Sequence, residues 1–200
     1  MRKKSETRRQ AILEVAARTF RELGFERASM SEICARVGGS KATLYNYFPS
    51  KEDLFFEVMF DSAEAEFEAT QASLDPAADD IAANLQAYGV RLLRQIYSPQ
   101  ILAARRLVIA ESGRSNLGRL CYEKGLKPCR ELTAEFLRAA MTNGKLREAD
   151  ANVADAHLHG LLESELLDRY MLCVHDTVTD AEIAACTERA IGVFMAAYGC

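Results

Sequence analysis

Apolar residues recur three and four positions apart along this chain, and they never alternate regularly with polar ones. That spacing predicts helices throughout and an all-α fold. A first helix is expected over residues 5–23. Ile12, Val15, Ala16, Phe20 and Leu23 form its apolar stripe, and Gly24 serves as its C-cap. A short second helix covers 30–37. Ser29 and Ser31 can both cap it, and Ser29 with Glu32 has the spacing of a capping box. Gly38-Gly39 signals a turn, and Ser40 then caps a short third helix over 41–47. After Pro49, Ser50 caps a long fourth helix over 51–73.

Asp75-Pro76 marks the next interruption. Further helices are expected over 78–97, 101–112, 115–142, 151–174 and 180–198, about nine in all, with the seventh kinked at Pro128. Thr179 or Asp180 caps the last. The expected organisation is a three-helix helix-turn-helix domain over residues 1–50, followed by a larger helical domain over 51–200.

Three helices in 47 residues, the last two short and joined by a glycine-containing turn, are the layout of a helix-turn-helix. Its last helix enters the major groove of DNA while the others brace it. Leu44 and Phe48, four apart, can both face the small core. Lys41, Ala42, Thr43, Tyr45, Asn46 and Tyr47 are then left for DNA. A small residue such as Ala42 permits close approach to a thymine methyl. The hydroxyls of Ser29, Ser40, Thr43 and Tyr45 suit phosphate oxygens, which fix register without reading sequence. Helix starts at Ser29 and Lys51 add dipolar attraction for phosphate. Tyr45 and Tyr47 also admit a plainer reading, as aromatics packed on the small core. Lys51 admits one as a solvated charge, although a cation is disfavoured at a helix N-terminus.

Charge agrees with a nucleic-acid partner at one end. Residues 1–51 carry eleven Lys/Arg and five Glu, net +6, within a chain of net −4, so the remainder carries −10. The composition, 49% hydrophobic and 27% charged, has no apolar run of the roughly 18 residues that suggest a membrane span. The basic start Met1-Arg2-Lys3-Lys4 leads into an amphipathic segment carrying Glu14, Arg18, Arg21 and Glu22, a poor export signal. A cytoplasmic location is expected.

The stretch from Arg9 to Leu54 resembles the N-terminal domain of TetR-type regulators. The likeness is carried by Ala11-Ile12-Leu13, Ala16, Phe20 and Gly24-Phe25, then Ser29-Met30, Ile33-Cys34 and Val37-Gly38. It continues through Ser40-Lys41-Ala42-Thr43-Leu44-Tyr45, Tyr47-Phe48 and Ser50-Lys51-Glu52-Asp53-Leu54. The resemblance implies base-edge contacts from Lys41, Ala42, Asn46 and Tyr47, and phosphate contacts from Ser29, Ser40, Thr43, Tyr45 and Lys51. One departure is visible: the family's turn usually carries an apolar residue where Gly39 stands, and a smaller one than Val37. Ala104–Glu111, with Leu117-Gly118 and Tyr122, is similar to the AefR-like branch, which implies control of efflux, transport or catabolism.

The last two expected helices are apolar over a wide arc, with Leu158, Leu161, Leu162, Leu166, Leu167, Tyr170 and Met171 on one. The other carries Ile183, Cys186, Ala190, Ile191, Val193, Phe194 and Ala197. Such surface calls for a partner, here a two-fold homodimer that would read a palindromic operator in double-stranded DNA. An unknown small-molecule effector is expected among the fourth to eighth helices. Its candidate contacts are polar residues set in apolar runs: Tyr88, Arg105, Glu111, Tyr122, His157 and Glu163. A surface pair with Arg114 is the alternative for Glu111, and ordinary satisfied or exposed imidazoles are the alternative for His157 and His159.

The expected function is a dimeric repressor released from DNA by its effector, with the fourth helix as the lever. An enzyme would need a catalytic constellation, and none of the nucleophile, zinc or phosphate-loop motifs occurs. No cofactor or metal is expected. The six cysteines, Cys34, Cys121, Cys129, Cys173, Cys186 and Cys200, form no Cys-x-x-Cys pair. A thiol-based redox regulator is the alternative. Cys121 and Cys129 would stand about 12 Å apart along one intact helix, too far for a direct bridge.

Overall fold

The structure is a computed structural model that describes residues 2–200. Among them the regular secondary structure is helical: α1 (Arg2–Arg27), α2 (Met30–Val37), α3 (Lys41–Tyr47), α4 (Lys51–Gln71), α5 (Ile81–Ile96) and α6 (Pro99–Glu111). Then follow α7 (Leu117–Cys121), a π-helical turn (Tyr122–Leu126), α8 (Lys127–Thr142), α9 (Ala151–Glu163), α10 (Leu167–Met171) and α11 (Asp180–Tyr198). Of the basic start, Met1 lies outside the described residues. No described helix is long and apolar enough to cross a membrane.

Among the described residues eleven α-helices stand where about nine were expected. The expected seventh helix is cut in two by the π-helical turn just before Pro128. Proline has no N–H to offer the carbonyl four residues back, and the i→i+5 register of the turn absorbs the mismatch that was expected as a kink. The expected eighth helix also divides. Both the hydroxyl (2.8 Å) and the N–H (3.3 Å) of Ser164 donate to the Leu161 carbonyl, which tightens the last turn of α9. Leu166 then turns inward and is buried. α10 ends at Met171 rather than Val174, because Cys173 adopts a left-handed φ of 56°. The Val174 N–H closes that end on the Arg169 carbonyl at 2.8 Å. At Gly24 the expected break occurs, with φ 75°, but a further turn reaches Arg27.

The chain packs as two compact units. Of the described residues, one comprises 2–64 with Ala110–Tyr122, the other Ala65–Ile109 with Glu123–Cys200. α4 and α6 each run from one unit into the other. In the first unit α1 packs on α2 and α2 on α3, and Ile12, Leu13, Ala16 and Phe20 of α1, Ile33 of α2 and Leu44 of α3 are all buried. Phe20, Phe25 and Phe55 form an aromatic cluster, with Phe55 edge-on to both others at 5.1 and 5.0 Å.

In the second unit α5, α8, α9 and α11 enclose a core that includes Leu85, Leu93, Leu137, Leu158, Leu162 and Phe194. Gly89 lets α5 approach closely, since a Cβ there would lie 2.6 Å from Thr187 Cγ2 and 2.8 Å from Leu162 Cδ2. Thr179 and Glu182 cap α11 reciprocally. Gly89→Ala is expected to destabilise the protein by about 1–3 kcal/mol through overpacking. A thermal melt should show the transition several degrees lower, and an unchanged melt would contradict this packing.

Candidate nucleic-acid interface

The site is built by local capping. Ser29 Oγ accepts from the Glu32 N–H at 3.1 Å and starts α2. The expected reciprocal half of that box is replaced: the Glu32 carboxylate accepts from Arg36 Nε at 2.8 Å. The guanidinium of Arg36, which Glu22 also engages, holds the Glu22 carboxyl below its usual range. α2 ends at Gly38, whose φ of 74° only glycine adopts cheaply, and Gly39 follows with φ 113°. Ser40 Oγ then accepts from the Thr43 N–H at 3.1 Å and starts α3.

α3 is two-faced. Leu44 and Phe48 are buried in the small core, as their spacing predicts. Lys41, Ala42, Tyr45 and Asn46 are exposed, while Thr43 and Tyr47 are half-buried. Tyr45 is 47% exposed, which removes the plainer reading of it as a core aromatic. Tyr47 packs in part on Phe48, and its hydroxyl lies 3.4 Å from Ser5 Oγ. The Ser40 and Thr43 hydroxyls lie 2.9 Å apart.

Lys51 sits where α4 begins, with its amine turned to the end of α1. Nζ donates to the Phe25 carbonyl at 2.8 Å and the Glu26 carbonyl at 3.4 Å, and lies 4.2 Å from the centre of the Phe25 ring. These carbonyls offset the unfavourable helix start. α1 also supplies residues that were not among the sequence-level candidates. Arg9 pairs with Glu57 and lies over the Phe48 ring, 5.7 Å from its centre, and Arg8 Nη2 donates to the Gly38 carbonyl. The only local sign of them is a basic pair one turn before Ile12.

The six effector candidates fall in different surroundings. Arg105 Nη2 meets Glu163 at 2.6 Å, and the Tyr97 hydroxyl donates to the same carboxylate at 3.2 Å. Tyr88 belongs to a different, buried network. Its hydroxyl lies 3.1 Å from Thr133 Oγ1 and 3.2 Å from His159 Nε2, and burial pushes its pKa up to about 12. Behind it, Asp155 sits 2.9 Å from His159 Nδ1 and accepts from Arg130 at 3.0 Å. His157 is exposed, 2.6 Å from the Tyr198 hydroxyl. Glu111 and Tyr122 fall in the first compact unit, Glu111 buried and Tyr122 half exposed. Arg114 pairs with Glu26, at 3.8 Å, instead of Glu111. Thr133, Asp155 and His159 carry no local signal that sets them apart from ordinary helix residues.

A seven-residue helix held on its inner face by two apolar side chains, with a polar outer face and a glycine turn before it, defines a helix-turn-helix DNA-binding protein. Residues 12–58 match the family described as bacterial regulatory proteins, tetR family, and residues 83–200 match the C-terminal domain of AefR-like transcriptional repressors. The chain belongs to the TetR family of transcriptional regulators, which are DNA-binding proteins and not enzymes.

Among solved structures, a TetR-family regulator from Mesorhizobium loti MAFF303099 is 29% identical, with 98% of each chain covered and a TM-score of 0.84. The flavonoid-responsive regulator FrrA is 30% identical, over 97% of this chain and 98% of its own, with a TM-score of 0.77. An HTH-type transcriptional regulator of Staphylococcus aureus (strain USA300) is 41% identical over 59 residues, 30% of this chain. That match spans 32% of the curated relative's length.

The two faces of α3 predict separate effects on stability and on DNA binding. Leu44→Ala is expected to cost about 2–5 kcal/mol and to lower the melting temperature. Tyr45→Phe should leave the melt unchanged and weaken DNA binding by the loss of one phosphate hydrogen bond. Thermal melts paired with fluorescence anisotropy on duplex DNA check both, and a Tyr45→Phe protein that binds like wild type contradicts the assignment.

Proposed function

We propose that the protein is a dimeric, ligand-responsive repressor that binds a palindromic operator in double-stranded DNA through α3 and is released by a small-molecule effector. The exposed polar face of α3 carries the reading. On it Lys41, Ala42, Asn46 and Tyr47 would meet base edges, and Ser29, Ser40, Thr43 and Tyr45 would meet phosphates. Lys51 would join them by exchanging its Phe25 and Glu26 carbonyls for a phosphate. DNA binding is assigned to residues 1–50, and effector binding and dimerisation to 51–200. Such work belongs in the cytoplasm.

The homodimer would form through α9, α10 and α11. Most of the apolar residues on which a partner was expected, Leu158, Leu162, Leu166, Tyr170, Ile183, Cys186, Ala190, Ile191 and Phe194, are buried in the chain's own core and do not supply that surface. Of those residues Leu167, Val193 and Ala197 are exposed, alongside Val153, Ala156 and Gly160 on α9 and Gly192 and Ala196 on α11. A two-fold contact there would place two α3 helices about 34 Å apart, one turn of DNA, or a multiple of it. The effector would favour a state with a different separation, shifting the population off DNA by its differential affinity. α4, continuous from Lys51 to Gln71, would be the lever. Arg105 with Glu163, and Tyr88, are the favoured effector contacts, the first pair as a partly buried ion pair and Tyr88 as a buried hydroxyl. The likeness to FrrA directs the search for an effector to flavonoids. The redox alternative is weakened at three of the six thiols, since burial pushes Cys121 to about 11 and also raises Cys129 and Cys186, while Cys173 and Cys200 are exposed.

Fluorescence anisotropy with duplexes from the DNA flanking the gene tests this reading. Binding should be sequence-dependent, and log K should fall by about 0.9 per neutralised phosphate against log salt. Val193→Asp should yield monomers in analytical ultracentrifugation and at least tenfold weaker operator binding. Sequence-independent binding, or a Val193→Asp protein that remains dimeric, would contradict the account.

A further inference from the structure

We infer that Arg8 is a positioning residue for the recognition helix, its guanidinium occupying the space of the side chain that Gly39 lacks. The first turns of α1 reach both ends of α3. Arg8 Nη2 donates to the Gly38 carbonyl before α3 starts. At its other end, Arg9 lies over the ring of the C-cap Phe48, 5.7 Å from its centre, and Ser5 Oγ lies 3.4 Å from the Tyr47 hydroxyl. Two consecutive glycines with φ of 74° and 113° make the α2–α3 turn a permissive joint. A Cβ at Gly39 would stand 2.7 Å from Arg8 Nη2. The guanidinium therefore fills the site that a Gly39 side chain would take.

The electrostatics agree with that seat. Gly38 caps the C-terminal end of α2, where exposed carbonyls favour a cation. A planar guanidinium anchored on α1 restricts the direction in which the chain leaves Gly38, and with it the angle of α3. Base-edge hydrogen bonds depend on that angle more steeply than contacts to the phosphate backbone do. Arg8 thus supports discrimination between sequences more than affinity for DNA as such.

The inference rests on the DNA-binding reading, so its test begins by selecting a preferred duplex from a random double-stranded library with the wild-type protein. Failure to enrich any sequence overturns that reading and this inference together. With the enriched duplex in hand, Arg8→Ala should bind it roughly tenfold more weakly, the size of one charge-assisted hydrogen bond. It should bind a scrambled duplex as the wild type does, with an unchanged salt slope.

Gly39→Ala should also lose preference, and by less in the Arg8→Ala background, because the clashing partner is gone. An unchanged preference in Arg8→Ala overturns the inference, as does strict additivity of the two substitutions. A parallel loss on both duplexes, with a salt slope reduced by about one phosphate, makes Arg8 a phosphate ligand and also overturns it. If Arg8→Ala melts below the assay temperature, Arg8→Lys decides. It keeps the charge without the planar fork, so lost preference at an unchanged slope supports the inference and wild-type preference overturns it.

Discussion

A seven-residue helix does not persist alone in water, because nucleation costs more than one or two turns of hydrogen bonds return. α3 exists because Ser40 caps its start and because Leu44 and Phe48 are buried beneath it. Each such apolar side chain contributes about 1.5–3 kcal/mol on full burial. Standing four positions apart, these two anchors fix the rotation of the helix about its own axis. That rotation decides which residues face away from the protein, and Lys41, Ala42, Tyr45 and Asn46 follow from it.

The anchors set rotation but not tilt. Tilt depends on how α3 is joined to its neighbours, and here the joint is unusually free, two glycines in the left-handed region. The surrounding contacts come from distant parts of the chain. Phe48 is braced by Arg9, whose other partner is Glu57 of α4. Lys51 ties the start of α4 to the last carbonyls of α1. The small domain is thus a set of cross-links around one short helix, with the aromatic cluster of Phe20, Phe25 and Phe55 beneath.

What could be read in the sequence was what is decided locally. The caps Ser29, Ser40, Ser50 and Thr179 act within three residues of themselves; Ser40 and Ser50 were legible outright, while Ser29 stood beside Ser31 and Thr179 beside Asp180. The buried pair Leu44 and Phe48 and the all-helical class were legible as well. The missed features depend on partners far away in sequence. Ser164 ends α9 with no glycine or proline to announce it, because the break lets Leu166 turn into the core. The contact between Arg8 and Gly38 spans thirty residues, and the one between Tyr88 and His159 seventy-one. Polar residues within apolar runs were therefore a fair guide to burial, as for Tyr88, but not to which of them meet. Arg105 and Glu163 do; His157 faces out beside Tyr198.

The central claim is that α3 presents its outer face to DNA while its inner face stays packed. Amide hydrogen exchange of the full chain, with and without an enriched duplex, tests it most directly. The account predicts added protection in Lys41–Tyr47 on DNA binding, with the buried residues of α1 already protected in the free protein. Protection that rises elsewhere while α3 exchanges as before would contradict it.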